Sequence, residues 1–474
     1  MINHKINQEG QKASKSTMTA ELPAFAPAIA ELEAKFSGQL IRPDDADYEQ
    51  ARRLWNGRID KYPALIARCR TAQDVVLAVD FARDYTLTVA VRGGAHNTNG
   101  FASVDSGLVI DLSAMKGVQV DLTNRTALAE PGVKIGEFIQ ATQQYGLIAP
   151  TGICSDTGIS GSTLGGGIGW LMGKHGLAID NVLSFELVTA DGRLLKASAT
   201  ENVDLFWGLR GGGGNFGIVT AFEFQLHALG QVLAGMVIHP LAKAKEVLDF
   251  YRDFSSTIPD NMAAEVFLAT VPEIGPAVII MGGYFGEDLP EGERLLAPLR
   301  QFGPPLVDLI QLIAYPDFVA MLDPIAPVGR NYYESAYSVK QFSDEAFNTL
   351  ITRAEQMTSP FSATIMHHVH GAATQVAPGA TAFALREPHY IIIHSAGWEE
   401  GSAEPHVEWV RTTYAAMQPF ASPGLYVNFI KGQTEEAVRA SYRTNYDRLA
   451  ALKHKYDPTN FFRLNQNIKP KVKN

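Results

Sequence analysis

Thiols are almost missing from this chain: its 474 residues include only two cysteines, Cys69 and Cys154. That excludes a disulfide framework and a thiolate zinc site. No segment approaches the roughly 18 consecutive apolar residues of a spanning helix, so no membrane anchor is expected. Long basic runs are absent and the formal net charge is -10, so neither nucleic acid nor an anionic membrane surface is an expected partner. No glycine cluster ends in Gly-Lys-Ser/Thr, which excludes a P-loop. The N-terminus, MINHKINQEGQKASKSTMTAEL, carries lysines with no apolar stretch behind them and does not read as a secretory signal. A cytoplasmic protein is the expectation, with residues 1–20 disordered and Met18 available as an alternative start.

Glycine, by contrast, is abundant at 42 residues, and much of it is clustered. Clustered glycine marks backbone that turns sharply or comes close to a ligand. The rest of the composition, 46% hydrophobic and 19% charged, is that of a globular protein, and the length points to two domains.

Between Pro63 and Asp111 the pattern predicts strands and one helix. ALIARC reads as a strand, TAQDVVLAVDFARDYT as a helix opened by a Thr cap, and LTVAVRGG and GLVIDLS as further strands. KIGEFIQATQQYG has helical period and ends on Gly146 as its C-cap. NVLSFELVTADGRLLKAS predicts a hairpin turning at Asp191-Gly192. DLFWGLR then reads as a helix end and IVTAFEFQLH as a strand. After about His227 glycine clusters thin out, and helical patterns alternate with strands such as AVIIMGGYF and HYIIIHSAGW, which marks a second domain. Beyond Tyr426, EEAVRASYRTNYDRLAALKHKY predicts one strong helix before the tail DPTNFFRLNQNIKP. No internal repeat is visible.

Gly212-x-Gly214-x-x-Gly217 has the spacing of the dinucleotide fingerprint. That motif needs a strand before it and a helix after it, and the order here is reversed. Three clusters remain: Arg92 to Asn97, Gly158 to Gly169, and Gly211 to Gly217. Any one alone reads as a turn-rich loop. Three in one domain point to a large phosphate-bearing cofactor held by exposed backbone N–H groups.

The motifs VRGGAHNTNG, PTGICSDTGISGSTLGGGIGWLMGKHGLAIDN, LFWGLRGGGGNFGIVTAFEFQL, and LYVNF with KYDPTNFFRLNQNIKP follow one another from about Trp55 to the C-terminus. In this order they resemble the berberine-bridge-enzyme-like flavoproteins, which have the vanillyl-alcohol-oxidase type of FAD-binding fold. The resemblance implies an α+β chain: a two-part FAD-binding domain and a substrate domain on a large antiparallel sheet covered by helices. The FAD-binding domain is expected over 21–228, the substrate domain over 229–424, and a segment returning to the FAD domain over 425–474. It further implies bicovalent FAD, with His96 bonded to the flavin 8α-methyl and Cys154 to ring carbon C6. The chemistry is reasonable, because oxidised isoalloxazine is electron-poor and imidazole and thiolate are good nucleophiles. Ala95 departs from the family pattern, where glycine is usual. Outside these motifs His96 would read as a loop histidine, and Cys154, like Cys69, as a small buried hydrophobe.

The resemblance also gives the expected cofactor contacts. These are Arg92, Gly93, Gly94, Ala95 and Asn97; Thr157, Gly158, Gly161, Ser162, Gly166, Gly169 and Trp170; Gly214, Asn215, Ile218 and Val219; and Asn428, Asn465 and Gln466. Tyr426, in the Tyr-x-Asn element, is the expected catalytic base, provided its pKa falls below the usual value of about 10. Thr157, three residues after Cys154, resembles the position that governs oxygen access. Its shape is close to valine, which favours an open pocket and an oxidase.

His367, His368 and His370 invite a metal reading, but no third ligand with suitable spacing is visible, and no metal is expected. On a strand His368 and His370 share a face and His367 points away. His368 and His370, with Arg386 and His389, are therefore expected to line the substrate pocket. The function implied is oxidation of an alcohol or sugar hemiacetal C–OH, with hydride passing to flavin N5 and dioxygen returning the flavin to its oxidised form as hydrogen peroxide. Oxidation of a C–N bond, a dehydrogenase with another acceptor, and a flavin-binding protein without turnover are the alternatives. A small molecule and O2 are the expected partners, and the chain is expected to be a monomer or homodimer.

Overall fold

Helix Ala72–Asp84 begins where the sequence predicts. Thr71 accepts the backbone N–H of Asp74 at 3.2 Å, and Asp74 accepts that of Thr71 at 3.1 Å, closing a capping box. Its apolar stripe, including Val75, Ala78, Val79 and Ala82, is buried beside a four-stranded sheet. That sheet runs in the order Gln39–Ile41, Leu65–Arg68, Leu108–Asp111, Val89–Arg92, with its last three strands parallel. The computed structural model describes residues 26–432 and 434–471, so the segment 1–20 lies outside the described residues.

A second, five-stranded antiparallel sheet follows, in the order Val118–Asp121, Thr126–Ala129, Ile218–Gln225, Val182–Val188, Leu194–Ser198. The hairpin at Asp191-Gly192 is its outer pair, and Gly192 has φ +82, where glycine is favoured. Helix Val203–Leu209 precedes the third glycine cluster and strand Ile218–Gln225 follows it, the reverse of a dinucleotide fold.

The third sheet is large and antiparallel throughout. Its main path is Val307–Asp308, Val232–Pro240, Gly275–Tyr284, Met262–Val271, Ala363–Val369, His389–Trp398, Asn331–Val339. One face packs on helices Ala244–Ser255, Leu289–Gln301, Asp344–Glu355 and the end of Glu404–Met417. The opposite face buries Ala263, Phe267 and Ile279 against Trp170, Leu171 and Ile135, and Ile391 and Ile393 against Ile168, Met172 and Tyr426. The α+β class with a helix-covered antiparallel sheet is as expected, and the glycine-rich part of the chain lies over the face left free of those helices.

The C-terminal residues Val427, Ile430, Val438, Tyr442, Tyr446, Leu449 and Ile468 share a core with Phe185, Phe206 and Phe222. The single helix predicted here is two, Glu435–Tyr442 and Tyr446–Tyr456, broken at Arg443 with φ +49. Asn445 holds the break, donating to the carbonyls of Pro378, Thr381 and Ala382. A local helical period carries no record of such a tertiary contact.

Lys453 and Asp457 form a wholly buried ion pair at 2.6 Å. The ammonium also donates to the carbonyls of Asn215 and Phe462, each at 2.8 Å, and so ties the last long helix to the third glycine loop. Lys453→Met leaves a buried carboxylate without its cation and is expected to cost about 3–5 kcal/mol. Urea denaturation reads this, and an unchanged midpoint would contradict it.

Candidate active site

The first two glycine loops interlock. Gly94 and Gly158 approach so closely that a Cβ on either would collide with the other's backbone, and a Cβ on Gly93 would strike Ser160. A Cβ on Gly169 would overlap the Thr151 carbonyl. The loop after Cys154 is fastened to the start of helix Ile135–Gln143: Ile135 N–H donates to Thr157 O at 2.9 Å and Gly136 N–H to Ser155 O at 2.8 Å. Gly161 and Gly214, by contrast, face open space. Tight packing on one side and open backbone on the other is what a phosphate-bearing cofactor needs.

The C-terminal tail joins the third loop. Asn215 donates to the carbonyls of Gly212 and Gln466 at 2.8 and 3.1 Å and accepts Ile468 N–H at 3.0 Å. Asn465 donates to Gly214 O at 3.1 Å, and Gln466 to Ile430 O at 2.7 Å. Several of the expected contact residues have side chains with structural work. The guanidinium of Arg92 turns inward to the Ala51 and Ala102 carbonyls, Asn97 accepts the N–H of Asn99, and Trp170 packs edge-on against Phe318. Ile218 and Val219 are core residues at the start of their strand.

His96 stands where the first loop ends. Ala95 has φ +60, the left-handed conformation that explains why glycine suits this position and that costs an alanine about 1–2 kcal/mol. One face of the imidazole stacks on Trp55, with centroids 4.4 Å apart, and Trp55 stacks in turn on Tyr332 at 4.0 Å. His96 Nε2 is buried, 3.5 Å from Asp156 Oδ2, too far for a good hydrogen bond. Cys154 is half-buried. Burial pushes its thiol up to about 12, and the carboxylates of Asp323, Glu265, Glu334 and Asp156 add to the shift. Those four acids are thus within electrostatic reach of Cys154.

Tyr426 is buried with a saturated hydroxyl. It accepts Gly167 N–H at 3.0 Å and Asn428 Nδ2–H at 2.7 Å and donates to Ser162 O at 3.2 Å. Asn428 also donates to Gly161 O at 3.1 Å. Burial pushes the Tyr426 phenol up to about 12, although its hydrogen bonds pull the other way. The hydroxyl is thereby engaged in fastening the second loop to the C-terminal segment.

The pocket expectation needs a further correction. His367, rather than His368, lies on the sheet face turned toward the glycine loops. Its strand neighbours on that face, Ile365 and Val369, pack with Tyr426. His367 Nδ1 is 2.7 Å from Glu265 Oε2, both side chains being buried, and its ring lies parallel to Phe429, which meets Tyr426 edge-on. On the same face Glu334 accepts Ser395 Oγ–H at 2.8 Å, and burial holds its carboxyl above the usual range.

His368 faces the helices, stacked between His370 and Tyr390, and burial drops its pKa to about 3. His370 bonds the carbonyls of His368 and Met262, and His389 that of Glu387. Arg386 makes a bidentate pair with Asp180. All four side chains are engaged in these protein contacts. Strand alternation separates His367 from His368 in the sequence but does not say which face meets the cofactor. Glu265 sits on another strand, with nothing nearby to mark it.

A family profile described as FAD binding domain matches residues 63–198, and one described as berberine and berberine like matches 425–469. The (R)-6-hydroxynicotine oxidase of Paenarthrobacter nicotinovorans is 32% identical, over 91% of this chain and 97% of its own. A carbohydrate oxidase of Microdochium nivale is 28% identical, over 90% and 92%. The crystal structure of 6-hydroxy-D-nicotine oxidase from Arthrobacter nicotinovorans superposes with a TM-score of 0.84 at 31% identity, covering 92% of this chain and 98% of that one. The fold and loops define a flavin-binding oxidoreductase. The chain belongs to the berberine-bridge-enzyme-like family of FAD-linked oxidoreductases.

The residues present fit FAD. The backbone is open at Gly161 and Gly214, and Gln466, whose carbonyl accepts from Asn215 in the third loop, has a buried side-chain oxygen with no partner among the described residues. Among the described residues no His, Cys, Asp and Glu group could hold a metal ion, and no helix is long and apolar enough to cross a membrane.

Proposed function

We propose that this enzyme carries FAD on both His96 and Cys154 and oxidises a C–OH bond of a small organic substrate, with dioxygen as the final acceptor. The observation that carries the reading is the buried Glu265–His367 pair on the sheet face turned toward the glycine loops. Bound flavin supplies a hydride acceptor at N5. A hydroxyl that gives up hydride must also lose its proton, and His367 is suited to receive it. With Nδ1–H donating to Glu265, Nε2 carries the lone pair, and it has no hydrogen-bond partner among the described residues. Glu265 fixes this tautomer and offsets the charge on the protonated ring. Tyr426 and Asn428 hold the second loop in place, and Ser395 and Glu334 offer a substrate further polar contacts.

Oxidation of a C–N bond is the second reading. Its support is the nicotine oxidase likeness and the carboxylates of Glu265 and Glu334, which suit a cationic amine. Anaerobic bleaching of the flavin by panels of sugars, alcohols and cyclic amines tests both. Bleaching by C–OH compounds is expected, and bleaching by amines alone would overturn the first reading.

Thr157 bears on the acceptor. Its N–H and C=O are held by Cys154 O and Ile135 N, which fixes the backbone of the turn and leaves the small side chain to set the space beside it. Thr157→Leu is expected to slow oxygen reoxidation without slowing substrate-driven reduction. Stopped-flow mixing of reduced enzyme with oxygen measures this. Wild-type enzyme reoxidising no faster than free reduced flavin would make it a dehydrogenase.

A further inference from the structure

His96 is held more firmly than a loop histidine needs to be. Trp55 covers one face of its ring, and Trp55 is itself fixed by its stack on Tyr332 and by Nε1–H donating to Ala326 O at 3.0 Å. The ring edge carrying Nε2 is sealed in beside Asp156 at 3.5 Å. His96 Nδ1 makes no hydrogen bond among the described residues and is not among the sealed atoms.

Asp156 is placed with similar care. It belongs to the loop fastened to helix Ile135–Gln143, and its other oxygen pairs with Lys134 at the mouth of that helix. Burial works against the charged form, but the contacts to His96 and Lys134 outweigh it and hold the carboxyl below its usual range. Asp156 is therefore a carboxylate in position to act on His96, two residues from the other candidate flavin attachment point. Substrate oxidation gives it no role.

Resting on the reading that flavin is bonded to His96, we propose that Asp156 is the positioning residue for that bond. Its negative charge beside that ring edge favours the tautomer with the proton on Nε2 and the lone pair on Nδ1, and it balances the charge that forms on the ring. Bound flavin would present its 8α carbon as an electrophile once one methyl proton has passed to solvent. Nδ1 donates its electron pair to the 8α carbon, and a C–N bond forms. The Nε2 proton then leaves through Asp156 to solvent, which restores a neutral ring. The flavin takes up the electron pair and is left reduced by two electrons. Dioxygen removes them and, with two protons from solvent, becomes hydrogen peroxide. The arrangement follows the logic of a carboxylate that orients a histidine for nucleophilic work.

The test uses Cys154→Ala as background, so that His96 is the only attachment point. Purified Cys154→Ala protein is expected to keep its flavin after acid precipitation. Adding Asp156→Asn is expected to lower the covalently bound fraction by about 10-fold or more. Flavin should still co-purify with the native protein, which shows that the fold and site are intact. Asp156→Glu, which keeps the charge, should restore most of the covalent fraction, a rescue that a merely structural role would not give. A covalent fraction in Asp156→Asn equal to that of the background would overturn the proposal. Complete release of flavin from Cys154→Ala itself would remove the His96 bond, and the inference with it, and is recognised separately because it precedes any change at Asp156.

Discussion

His367→Gln is expected to lower the rate of substrate-driven flavin reduction by about 10²–10⁴-fold, the usual worth of a general base. Glutamine keeps a polar group near Glu265 but has no site that accepts a proton near neutral pH. Flavin content should hardly change, because no glycine loop rests on this side chain. Glu265→Gln should lose less, since the imidazole remains while its orientation and its countercharge weaken. The companion measurement is Tyr426→Phe. Its hydroxyl is saturated and burial pushes it up to about 12, so the substitution should act mainly through looser anchoring of Gly167 and Asn428. A wild-type rate in His367→Gln together with a collapse in Tyr426→Phe would return the base role to the tyrosine.

The second large effect concerns attachment of the cofactor. His96→Ala and Cys154→Ala should each keep flavin through the remaining bond, and the double variant should release it all on denaturation. The two bonds need not form equally fast. Burial and the nearby carboxylates hold the Cys154 thiol above its usual range, and the thiolate is the nucleophile. His96, clamped by Trp55 and Asp156, needs no such ionisation. Covalent incorporation should thus be slower in His96→Ala than in Cys154→Ala. Time courses of acid-stable flavin in the two variants decide this, and equal rates would show that bound flavin changes the thiol's surroundings enough to ionise it.

Much of this was legible in the sequence, for physical reasons that differ by element. Helix Ala72–Asp84 and the hairpin at Asp191-Gly192 are written in local chemistry, a Thr-Asp capping box and a turn glycine at φ +82. The glycine loops were legible because close backbone approach forbids side chains at Gly94, Gly158 and Gly169. The break at Arg443 was not, because Asn445 is held by carbonyls more than sixty residues away in the chain. The sheet face was misjudged by one strand position. His367 and His368 are equivalent in the local pattern, and only the partner strand, through Glu265, tells them apart. Motif resemblance brought Tyr426 forward, whereas its surroundings, which set its acidity, became visible only with Gly167, Ser162 and Asn428 around it.

The most direct test of the account is the intact mass of the purified wild-type protein, taken with its behaviour in acid. The polypeptide should be heavier by one FAD, less the hydrogens lost in forming two bonds. The acid pellet should stay yellow, and peptides containing His96 and Cys154 should carry the flavin together. A colourless pellet with free FAD in the supernatant, and a polypeptide of unmodified mass, would contradict it.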